Sequence, residues 1–83
     1  MSARAAILRH IEVIADEQTR RLQPLTDDLD LQDSGLDSLC LAILVARLED
    51  DLAVDPFLDA DNGSFPETLG EFITFYDHAI AVA

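Results

Sequence analysis

The side chains best equipped for chemistry are Ser38, flanked by Asp37 and Leu39, the single cysteine Cys40, the histidines His10 and His78, and carboxylates spread along the chain. Ser38 stands where a polar, glycine-containing stretch gives way to a helical pattern. A hydroxyl in the first helical turn projects from the body of a protein, within reach of another enzyme. An anion attached there lies beside unpaired N–H groups at the positive end of the helix dipole. Asp37 can accept hydrogen bonds from the same N–H groups and cap the helix. Gly35 supplies a flexible or left-handed position just ahead. The bland reading of Ser38 is an ordinary serine at a helix start.

Self-contained catalysis fits poorly. Ser38 with His10 and His78 suggests a hydrolase, but no Gly-x-Ser-x-Gly elbow exists, since Cys40 stands two residues after Ser38, and 83 residues cannot enclose a substrate pocket. Cys40, between Leu39 and Leu41, reads as a small apolar filler rather than a working thiol. The histidines have no metal-ligand spacing with each other or with Cys40, and His78 suits the C-terminal end of a helix dipole. Asp59-Ala60-Asp61-Asn62-Gly63 fails as a calcium loop, because Gly63 at the sixth position puts Leu58, Ala60 and Leu69 at ligand positions. Asp27, Asp28, Asp30 and Asp33 form a solvated acidic face, with weak divalent-ion binding at most.

The elements that must position Ser38 follow from hydrophobic periodicity. Ile7, Leu8, Ile11, Ile14 and Ala15 predict a first helix from about Ala3 to Arg21, with Ser2 available as a cap. Leu22 to Leu36 has no helical period and reads as a long loop, anchored by Leu25, Leu29 and Leu31. A second helix is expected from Asp37 to about Leu52, burying Leu41, Leu44, Val45, Leu48 and Leu52. Leu39 and Ile43 lie off that stripe. Phe57 to Ala60 allows one short helical turn. Thr68-Leu69-Gly70-Glu71 is a capping box with Pro66 ahead of it, opening a last helix lined by Leu69, Phe72, Ile73, Tyr76 and Ile80. The expected fold is all-α: a small four-helix bundle, three main helices plus one short one, with a long first loop and residues 1–83 as a single domain.

The segment Gly35-Leu36-Asp37-Ser38-Leu39 resembles the attachment motif Gly-x-Asp-Ser-Leu of the acyl carrier and peptidyl carrier family, and the order of helices and loops extends the resemblance over nearly the whole chain. The resemblance implies that Ser38 receives a 4′-phosphopantetheine arm, taken from coenzyme A by a phosphopantetheinyl transferase and ending in a thiol. Asp37 and Leu39 flank the attachment point, and Asp37 would also engage the basic or metal-bearing site of the transferase. Cargo would ride as a thioester, and catalysis would belong to the partners. Two cargoes stay open: an acyl chain, as in fatty acid or polyketide pathways, or an aminoacyl group loaded by an adenylating ligase. Leu36-Asp37 ahead of Ser38 departs from the pattern usual in peptidyl carriers and tilts toward an acyl carrier. Cys40 and Arg47 also depart from the common pattern and point to specialised partners. The rival class is an unmodified interaction module.

Seventeen acidic residues against five arginines and no lysine give a net charge of −12. That field repels nucleic acid and anionic membranes and favours protein partners with basic patches, whether loading ligases or synthases. Leu39, Ile43 and Ala46 would form an apolar docking ridge leading away from Ser38, with Arg47 beside it and Glu49, Asp50 and Asp51 at its far end. The alternative for Leu39 and Ile43 is packing beneath the long loop. Ala42 and Ala46 make an internal cleft conceivable. No apolar run exceeds the eight residues Leu39 to Ala46, too short to cross a bilayer. A lone cysteine and the absence of a secretion-signal layout fit a cytoplasmic monomer.

Overall fold

The computed structural model describes residues 3–56 and 66–82. Three helices form the body: α1 (Arg4–Glu17), α2 (Ser38–Leu52) and α3 (Leu69–Val82). No strand occurs among the described residues, and the fold is all-α as expected. The expected short helix at Phe57 to Ala60 lies outside the described residues. The fourth helical piece among them is instead a 3-10 turn at Leu31–Asp33, inside the long loop.

In α1, Ile7, Ile11, Ile14 and Ala15 recur on one face and are buried. Ser2 lies outside the described residues; the N-cap position is Ala3, whose N–H donates to Asp77 Oδ1 of α3 at 2.5 Å. The helix stops at Glu17, four residues before Arg21. Thr19 takes a left-handed conformation (φ 56°), and the N–H groups of Arg20 and Thr19 return to the carbonyls of Ala15 (2.7 Å) and Asp16 (3.2 Å). This closure satisfies two carbonyls that the helix end would otherwise leave open. Glycine usually takes that position, so a β-branched threonine there gave no stop signal.

The long first connection is held by its own backbone. Leu31 N–H donates to Glu67 (2.8 Å), while the carbonyls of Leu29 and Asp27 accept from Leu69 and Gly70 (2.9 Å each). The loop thereby caps the first amides of α3. Thr68 completes the cap, its Oγ1 accepting from Glu71 N–H at 3.2 Å and donating to the Glu71 carboxylate at 3.1 Å. Leu31 is buried, and Leu25 and Leu29 are half-buried, as the anchoring role requires. Ser34 is the one buried polar residue among those described. Its Oγ donates to Leu31 O at 2.6 Å and accepts from Leu36 N–H at 3.3 Å, and its carbonyl accepts from Gln23 N–H at 2.9 Å. This small network shapes the turn that leads into α2.

The core joins α1, α2 and α3 through Ile7, Ile11, Ile14, Leu44, Leu48, Leu69, Phe72 and Tyr76, with the Phe72 and Tyr76 rings 5.0 Å apart. Each such burial stabilises the fold by roughly 1.5–3 kcal/mol before chain entropy is counted. The inner face of α2 differs from the expected stripe. Cys40, Leu44 and Leu48 are fully buried, whereas Leu41, Val45 and Leu52 are half-buried. The helix is turned so that Cys40 lies in the core. A small apolar filler is what that position needs.

Candidate functional site

Asp37 and Ser38 meet at the N-terminus of α2. Asp37 is the N-cap with extended backbone (φ −89°, ψ −178°), and its Oδ1 accepts from Cys40 N–H at 2.8 Å. Ser38 is the first helical residue and is exposed. Among the described residues no acceptor meets the N–H of Ser38 or Leu39. The tip of α2 is therefore open, whereas the tip of α3 is closed by loop carbonyls. An anion bonded to Ser38 Oγ would sit by the two open amides at the positive end of the dipole.

The turn before the helix sets this geometry. Gly35 has φ 103°, a conformation that L side chains rarely adopt, and a Cβ placed on it would lie 2.1 Å from the carbonyl oxygen of Arg21. Only glycine lets the segment after α1 pass so close. Leu36 next to it is buried and pins the turn to the core. That same crossing brings Arg20 to the site, where its guanidinium donates to Asp37 Oδ2. Asp37 is held below the ordinary carboxylate range, chiefly because Cys40 N–H and then the Cys40 thiol bond the ionised form, with Arg20 adding a smaller favourable charge. Sequence reasoning missed Arg20. The pair spans 17 residues and has no periodic signature.

The proposed docking residues fall on one side of α2 with two qualifications. Leu39 is 59% exposed, and Ala46 and Asp50 are exposed. Ala42 is exposed too, so Ala42 and Ala46 line the outer face and not an internal cleft. Ile43 is half-buried and packs against the core. Arg47 is engaged within the molecule, bonding Glu17 through two nitrogens at 2.7 and 3.2 Å. Asp51 turns toward α1, where it meets Arg9 (2.9 Å) and His10 (3.0 Å), so the acidic end of the ridge is Glu49 and Asp50. Arg4 likewise pairs with Asp27 at 2.7 Å. Four of the five arginines thus face acids of the same chain.

No cluster of three or more metal-ligating side chains occurs among the described residues. None of the described helices is long and apolar enough to cross a membrane. Cys40 is buried and free, without the exposure a reactive thiol needs. Ser38 presents an exposed hydroxyl at an open helix tip.

A family model described as a phosphopantetheine attachment site matches residues 10–60, more than half the chain. The chain belongs to the phosphopantetheine-attachment family. Members of this family carry covalently attached 4′-phosphopantetheine. Ser38, its open amides and the exposed Leu39 fit such a group: a phosphate finds donors, and no side chain covers the hydroxyl. The non-reducing polyketide synthase CTB1 of Cercospora nicotianae is 31% identical over 87 residues, covering 99% of this chain and 4% of the synthase. The CTB1 synthase of Cercospora beticola matches to the same extent. Polyketide synthase 2 of Metarhizium acridum is 38% identical over 72 residues, 84% of this chain and 4% of that protein. The chain thus spans only about 4% of the length of these curated relatives. No solved structure gives a significant match.

Proposed function

We propose that Ser38 is the attachment residue and that the chain carries an acyl group, bound as a thioester to the thiol of its 4′-phosphopantetheine, between the enzymes of a polyketide-type pathway. The observation that carries this reading is the exposed Ser38 hydroxyl at the open tip of α2, inside the segment matched by the family model. The relatives' names favour an acyl cargo over an aminoacyl one. Chemistry on the cargo belongs to the partner enzymes, in keeping with a carrier role for a member of the phosphopantetheine-attachment family.

Each residue at the tip has a role that its position supports. Asp37 holds the first turn of α2 in place through Cys40 N–H and leaves the Ser38 hydroxyl facing outward. The amides of Ser38 and Leu39 stabilise the phosphodiester once it forms. Leu39 gives an apolar contact beside the root of the arm, and Ala42 and Ala46 continue it as a shallow ridge toward Asp50. With a net charge of −12 and most arginines paired internally, encounter with basic partner surfaces is fast and salt-sensitive. A phosphopantetheinyl transferase and acyl-loading synthase enzymes with basic patches are the partners this surface suits.

The test is intact-mass measurement after incubation with coenzyme A and a permissive transferase. The wild type gains the mass of one arm and Ser38→Ala gains none. A wild type that stays unmodified would return the protein to the class of interaction modules.

A further inference from the structure

The closure of α1 aims a cation at the site. Thr19 occupies a left-handed conformation that a β-branched residue adopts at a cost, and the next residue, Arg20, is delivered to Asp37. Both Asp37 oxygens are then engaged: Oδ1 by Cys40 N–H within α2, and Oδ2 by Arg20 from the preceding loop. The first contact builds the helix, while the second does not and can be released without unwinding it. The Arg20 and Asp37 side chains are 44% and 40% exposed, so an incoming protein can reach the pair. In a chain of charge −12, a carboxylate beside Ser38 is the feature that a cationic modifying site would seize, and here a cation already sits on it.

We propose that Arg20 is a latch on Asp37, a positioning residue that an enzyme acting on Ser38 must displace with a cation of its own. The inference rests on Ser38 as the attachment residue. It makes Arg20 a determinant of which transferases accept this carrier. An enzyme presenting a strong cation, such as a divalent metal ion or an arginine in a dry pocket, replaces Arg20 readily; one relying on diffuse positive charge does not. Displacement is complete when the two proteins are bound, so the latch acts on KM for the carrier and leaves kcat alone. Arg20 reaches Asp37 through a single nitrogen, so a lysine can serve in its place, unlike at a two-pronged contact.

The experiment uses the whole chain, coenzyme A and a permissive transferase, and compares wild type, Arg20→Gln, Arg20→Lys and Arg21→Gln. Arg21 is the exposed neighbour, and its loss changes the net charge by the same amount. Arg20→Gln should lower KM about two- to five-fold below Arg21→Gln, the range set by an exposed ion pair. Its kcat should be unchanged, and Arg20→Lys should restore the wild-type KM. A second readout needs no transferase: carboxyl-carbon NMR should show Asp37 titrating at higher pH in Arg20→Gln and unmoved in Arg21→Gln. Equal KM values for the two glutamine variants, a raised KM in Arg20→Gln, or an unmoved Asp37 titration would overturn the latch while leaving Ser38 as the attachment residue. A wild type that gains no arm would overturn both.

Discussion

Replacing Gly35 by alanine tests whether the crossing behind the site is as tight as it looks. The new Cβ would stand 2.1 Å from Arg21 O, 3.1 Å from Arg21 C and 3.4 Å from Leu22 Cα. Carbon and carbonyl oxygen ordinarily approach no closer than about 3.3 Å, so one backbone segment must move by more than ~1 Å. Holding an L residue at φ 103° adds about 1–2 kcal/mol, and overpacking against backbone adds about 1–3 kcal/mol. The expected loss is therefore ~2–5 kcal/mol, against a total stability of roughly 4–12 kcal/mol for a chain of this length. Urea denaturation followed by circular dichroism measures it as a fall in midpoint at unchanged slope. Gly70→Ala is the comparison. Its Cβ would meet Asp27 O at 2.9 Å and Asp27 Cβ at 3.0 Å with no unusual φ, so it carries the smaller overlap without the conformational cost and should lose less than Gly35→Ala. A Gly35→Ala loss below ~1 kcal/mol, or one no larger than that of Gly70→Ala, would refute the reasoning about the crossing.

Other substitutions separate packing from docking and charge. Leu44→Ala, at a fully buried position, should lose about 2–5 kcal/mol by the same denaturation assay, whereas Leu39→Ala should change stability by less than about 0.5 kcal/mol and weaken transfer to a partner enzyme, read as a higher KM for the loaded carrier. Ala53→Gly should raise the thermal midpoint by a few degrees, about 0.5–1 kcal/mol, because Ala53 closes α2 at φ 57° and glycine takes that conformation without strain. Asp37→Asn keeps an N-cap and removes its charge. Since the folded-state titration of Asp37 is depressed, the wild type should exceed the variant in stability above the ordinary carboxylate range, about pH 4, and the difference should vanish as pH falls through the lower folded value; a series of melts across that range reads it.

What the sequence disclosed depended on how local each interaction is. The start of α2 was legible because capping by Asp37 and the apolar period that follows involve residues within one turn of each other. The Thr68 and Glu71 cap was legible for the same reason. The end of α1 was not, since a threonine fills the left-handed position where glycine would have announced the stop. Which flank of α2 is inside depended on where α1 lies, so Cys40 replaced Leu41 and Val45 at the centre of the buried face. The backbone contacts between Leu29, Leu31, Glu67 and Leu69 join segments some 38 residues apart and leave no pattern in composition. Arg20 at Asp37 and Arg47 at Glu17 are of that distant kind as well. Arg47, read from the sequence as part of the docking ridge, has its guanidinium turned to α1.

The most direct test of the account is to locate the arm within the modified chain. Trypsin cleavage after Arg21 and Arg47 releases the peptide Leu22–Arg47, which contains both Ser34 and Ser38. Ser34 is buried and committed to Leu31 and Leu36, and Ser38 is exposed at the open tip of α2. Fragmentation of that peptide should place the whole added mass on Ser38. Mass found on Ser34, on Cys40 or outside this peptide would contradict the central claim.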